Sequence, residues 1–159
     1  MPGPYHPGYV TKGDFSSITS TQEHELGSWG YNRGRVLEYV KFTQSLQKYN
    51  WVGRSITDAT VDRANTAAMI LDQATHAPIG VAEYGGTANS FGWVTRFGPA
   101  TAKTGTTTSC QGGALSNTAA ATGTLATFAS ATFSQIAHGA GILVGTPSAT
   151  GTYVDVRCL

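Results

Sequence analysis

Residues 79–97 read IGVAEYGGTANSFGWVTRF. Two runs of apolar, β-branched and aromatic residues, 79–84 and 91–97, flank GGTANS, whose Gly-Gly pair and Asn suit the backbone of a hairpin turn. The segment reads as a β-hairpin. In its second run Phe91, Trp93, Thr95 and Phe97 alternate, and the strand period of two places all four on one face, predicted to turn towards a core.

The same plan recurs near the end of the sequence, where GILVG (141–145) and TYVDVRC (152–158) flank the turn-rich TPSATG. Setting Gly80 on Gly141 also sets Val81 on Ile142, Ala88 on Ala149 and Arg96 on Arg157. Few positions are identical, so an internal duplication is one option and independent hairpins are the other. RVLEYVKF (35–42) is a further strand, rich in β-branched and aromatic residues. Between them, Asp58 suits a helix cap ahead of Val61, Ala64, Ala68 and Leu71. Thr57, Thr60 and Thr66 weaken that helix, and Pro78 ends whichever element forms.

The composition agrees with strands. Gly occurs 20 times and charged residues make up only 12% of the 159 residues, which favours turns and sheet over a helical bundle. The length suits one domain. A net charge of +1 gives no electrostatic reason to bind phosphate backbones or anionic lipid, so nucleic-acid and membrane partners are not expected. No charged residue stands between Lys103 and Asp155. Leu115, Leu125, Phe128, Phe133, Ile136 and Ile142 punctuate that neutral stretch, favouring turned strands or covered intersubunit surface over a linker. The fold expected is mainly β, a compact β-barrel or β-sandwich with hairpins. Val40, Phe42, Val81, Trp93, Val94, Phe97, Val154 and Val156 are expected among its buried side chains.

Residues 1–32 have a different character. Pro2, Pro4 and Pro7 alternate with Gly3 and Gly8, favouring extended backbone, and Tyr5, Tyr9, Phe15, Trp29 and Tyr31 are bulky anchors without regular period. The expectation is an extended N-terminal arm that docks on a neighbouring subunit or on a different partner protein, ahead of a β-rich body at 33–159. On that expectation, deleting residues 2–30 leaves the body folded. The alternative is a segment folded back over its own domain.

Catalytic signatures are missing. His24-Glu25 begins like a zinc-peptidase helix, but Ser28 stands where the second His belongs. No nucleophile elbow or phosphate loop is present, and neither Cys110 nor Cys158 lies in a CxxC motif. Arg35, Arg96 and Arg157 suit pairing with a neighbour's carboxylates or simple exposure on strands. The expectation is therefore a protein that is not an enzyme, with no cofactor and no metal. No secretory leader is recognised at Met1–Pro–Gly–Pro–Tyr–His, so synthesis in a cytoplasm is expected.

The succession RVLEYVKF, PIGVAEYGG, SFGWVTRFGPAT and YVDVRCL resembles the capsid decoration (cement, head-stabilising) proteins of tailed bacteriophages, over roughly residues 34–159. The resemblance implies a virion structural protein on the outer capsid surface, made in the host cytoplasm, with the major capsid protein and its own copies as partners, a homotrimer being the commonest arrangement. The alternative is a tail-associated or receptor/carbohydrate-binding virion β-module, in which Trp29, Trp51 and Trp93 stack on sugar rings.

Overall fold

The computed structural model describes residues 9–10, 15–55, 66–69, 76–103, 114–116, 126–127, 141–143, 148 and 150–158. They form β1 (Tyr9–Val10), β2 (Ile18–Thr19), β3 (Trp29–Asn32), β4 (Arg35–Phe42), β5 (Asn50–Ser55), β6 (Thr66–Met69), β7 (His76–Ala82), β8 (Phe91–Ala102), β9 (Ala114–Ser116), β10 (Ala126–Thr127), β11 (Gly141–Leu143) and β12 (Thr152–Arg157). No helix occurs among the described residues, and the protein is mainly β.

β4 and β8 organise the rest. They pair antiparallel from Lys41↔Phe91 to Val36↔Phe97, with an irregularity between Val36 and Leu37. The second edge of β8 is shared along its length by β2 at Phe91 and Gly92, by β7 at Thr95, and by β12 from Phe97 to Ala102. β4 shares its second edge in the same way, between antiparallel β3 and parallel β6. β5 lies between β6 and β7, and β12 continues through β11 and β9 to β10. The sheet thus turns back on itself. Its joins are thin, one residue pair between β7 and β8 and two between β4 and β6, so it is sandwich-like and not a closed barrel.

Three apolar clusters follow from this path. Val40, Phe42, Leu46, Val52, Ile79, Ala82 and Val94 fill the space between β4–β8 and β5–β7. Trp51 and Val81 project from the other face of β5 and β7 onto Ala100, Ala102, Val154, Val156 and Cys158. The Trp51 indole N–H donates to the Lys103 carbonyl at 2.9 Å, which satisfies its polar end within the core. On the far side of β4–β8, Leu37, Tyr39 and Trp93 are covered by Val10, Phe15, Leu26 and Phe91.

That third cluster corrects the arm. Phe15 meets Trp93 edge-on at 4.9 Å, His24 lies against both Tyr39 and Trp93, and the Glu23 N–H donates to the Tyr39 hydroxyl at 3.0 Å. Among the described residues, 15–32 fold back over their own domain, where Phe15 and Leu26 cover the face carrying Tyr39 and Trp93. The boundary between 32 and 33 falls inside the β3–β4 turn. Deleting 2–30 would strip that face, so the truncated body is not expected to stay folded.

Other expectations are corrected in detail. Within the proposed 58–71 helix, Thr66–Met69 is strand β6, paired to β5 on one edge and β4 on the other; pairing on both edges outweighs a helix propensity already lowered by Thr. The rest of that segment lies outside the described residues, as do most of 104–147 and Cys110. The 79–97 hairpin has its two strands and its positive-φ Asn89. They meet only at Val81↔Thr95, since β2 takes the positions of β8 nearest the turn. β11 and β12 also form a hairpin, with Ile142 opposite Asp155; an exact copy of the Val81↔Thr95 register would place Ile142 opposite Val156. Of the expected core, Phe97 alone is only partly covered.

Candidate functional site

Asn32-Arg33-Gly34-Arg35 connects β3 to β4. Arg33 (φ 50) and Gly34 (φ 78) are both left-handed, the pattern of a two-residue type I′ turn, whose twist matches the strands it joins. Gly fits that backbone without strain, whereas the Cβ of Arg33 makes the same conformation cost about 1 kcal/mol. The turn lies against β8 at Gly98, where φ is 97 and a Cβ would run into the Gly34 carbonyl oxygen. Only glycine permits this approach.

Next to the turn, the Arg35 guanidinium pairs with the Glu83 carboxylate. The other oxygen of Glu83 accepts the Thr101 N–H at 3.2 Å. A carboxylate is thus held between a guanidinium and a backbone amide. Around it lies an open cleft of about 330 Å³, lined by Arg33, Arg35, Glu83, Pro99, Ala100, Thr101 and Tyr153. Tyr153 is 68% exposed and Tyr31, in β3, 53%.

Strand pairing explains how the cleft is walled. Thr101 stands opposite Tyr153, Pro99 opposite Asp155, and Phe97 opposite Arg157, so these side chains share the outer face of β8–β12. The N-terminal segment covers the first half of β8, over Trp93, but this second half stays open. Arg157 pairs with Asp155 at 2.8 Å on the same face. Both acids there have a guanidinium of their own, and Arg33 has no charged partner among the described residues.

A second charged group lies inside. Glu38 pairs with Arg54 through one oxygen and with Arg96 through the other; the Arg96 guanidinium also lies over the Trp29 ring, 5.6 Å from its centre. The side chains of Glu38 and Arg96 are 5% and 7% exposed. These contacts tie β3, β4, β5 and β8 together, with each residue's charge satisfied by another strand. Cys158 is also enclosed, and burial pushes its thiol up to about 12, the Arg96 charge acting in the opposite direction.

The residues singled out as anchors separate accordingly. Tyr5 lies outside the described residues, and Tyr9 is placed only as strand backbone in β1. Phe15 is turned inwards, Trp29 is partly covered beneath Arg96, and Tyr31 is well exposed. Trp51 and Trp93 are buried, so neither presents a ring to a sugar. Arg35, Arg96 and Arg157 all pair within the chain. Sequence reading missed Arg33, Glu83 and Tyr153 as a group; the signal available was Arg-Gly between WGYN and RVLE, a turn pair between two strand-like runs.

No protein-family model matches the chain, and no curated protein or solved structure matches it.

Proposed function

We propose that the chain is a non-enzymatic virion structural protein of the decoration or cement kind, bound to the outer surface of a tailed-phage capsid through the major capsid protein and stabilising the shell. The observation that carries this reading is the open outer half of β8–β12. Tyr153 and Pro99 stand exposed beside Arg33 on a well-braced sheet. Rigid sheets that present tyrosine and arginine suit protein contact, since both residue types are enriched at interfaces and Tyr loses little side-chain entropy there. The low charge of the chain also reduces the desolvation cost of broad contact. A homotrimer around a local three-fold position is the assembly we favour.

The test is electron cryo-microscopy of the virions that carry the protein, with antibody-gold labelling to identify its density. Density on the outside of the head, lost with Tyr153→Ala and accompanied by earlier thermal release of DNA, is the expected result. Label confined to the tail, or shells equally heat-resistant without the protein, would overturn the reading.

A further inference from the structure

We infer that the cleft between the β3–β4 turn and β12 is a binding site for a carboxylate side chain on an acidic segment of a partner protein, with Arg33 as its charged contact and Tyr153 as its flat wall. The inference does not depend on whether that partner is a capsid subunit.

Three observations converge. The cleft lining carries two guanidiniums, Arg33 and Arg35, against one carboxylate, Glu83, which Arg35 and the Thr101 N–H already hold, so the positive charge left over is that of Arg33. Every acid on this face is engaged, Glu83 by Arg35 and Asp155 by Arg157, while Arg33 is exposed on the rim with no charged partner among the described residues. Finally, Arg33 occupies a left-handed position (φ 50) that Asn or Gly would fill with less strain. Local folding does not call for arginine there; a guanidinium at the rim is what the substitution by Asn would remove.

Charge also selects among anions. Glu83 and Asp155 line or flank the cleft, and a run of phosphates would meet both. A single carboxylate can approach Arg33 from the rim, with its methylene stem against the Tyr153 ring. An arginine fork gives such a group two parallel hydrogen bonds.

The test is a titration of the full chain followed by amide and guanidinium NMR, using a capped Glu-rich octapeptide, its Gln counterpart and an oligothymidine of equal charge. The Glu peptide is expected to shift Arg33 and Tyr153 resonances saturably at low salt, and to weaken by about tenfold when ionic strength rises from about 0.02 to 0.2 M. The Gln peptide is expected to leave them unmoved. Arg33→Asn keeps the turn and should hold or raise the melting temperature, yet weaken the Glu peptide about fivefold or more. Arg33→Lys should restore part of the affinity. Equal binding by Arg33→Asn, equal shifts with the Gln peptide, tighter binding of the oligothymidine, or no saturable shift at all would each overturn the assignment.

Discussion

Among the described residues Glu38 alone is a carboxylate shared by two guanidiniums, and its removal would be felt at both. Glu38→Gln takes from Arg54 and Arg96 the carboxylate they share, and Arg96 is almost wholly enclosed. Breaking one side of a buried ion pair typically costs 3–5 kcal/mol; because Arg54 is 21% exposed and can turn towards water, a loss of about 3 kcal/mol is expected in urea or guanidinium unfolding. Cys158 gives a pH-dependent counterpart. Its thiol ionises near 9.0 in an ordinary setting and at about 12 in the fold. The unfolded chain therefore loses this proton first, and the contribution of Cys158 is complete below pH 9 and declines as pH rises from about 9 to about 12, by up to about 1.4 kcal/mol per pH unit. Cys158→Ala should flatten that alkaline limb in unfolding curves measured against the native sequence. The native thiol should react with a disulfide reagent only when the chain is unfolded.

The N-terminal segment and the β3–β4 hairpin show how an element can be read correctly in part. Phe15→Ala removes the edge-on contact with Trp93 and opens the cluster of Leu37 and Tyr39. A loss of about 2 kcal/mol is expected, less than for a fully enclosed Phe, with Trp93 fluorescence shifting to the red. β-branched and aromatic content made β4, β8 and β12 legible in the sequence, and the period of two added to it in the first half of β8. Seven of the eight side chains expected inside are buried, Phe97 being the exception. Phe15 and Trp29 were legible as anchors but not as to what they anchor, since proline and glycine spacing describes an extended backbone equally well on its own domain or on a neighbour. β6 was obscured because Thr66–Met69 is a short, alanine-rich strand whose formation depends on partners from distant sequence. The cleft escaped notice for a similar reason: Arg33, Glu83 and Tyr153 have no common motif and meet only where the β3–β4 turn, the end of β7 and β12 come together beside β8.

At the scale of the whole molecule, β8 draws its partners from nearly the full length of the described chain, from Ile18 in β2 to Arg157 in β12. Deleting residues 2–30 removes β1, β2 and the first two residues of β3 and uncovers Leu37, Tyr39 and Trp93; the product should bind a hydrophobic dye and aggregate on size exclusion. The shared edge of β8 also bears on how the protein reaches its fold. Contacts this distant in sequence must each close a long loop before they contribute, which places refolding in the range of milliseconds to seconds. Until Thr152–Arg157 arrives, positions Phe97–Ala102 offer an unpaired strand edge to any other unfinished chain. Stopped-flow refolding monitored by tryptophan fluorescence should therefore be slow, and the yield of native protein should fall as concentration rises. A short peptide of residues 150–158, supplied in excess during refolding, should lower that yield further by occupying the β8 edge first. The strand that braces the finished sheet is, during assembly, a competitor's point of attachment.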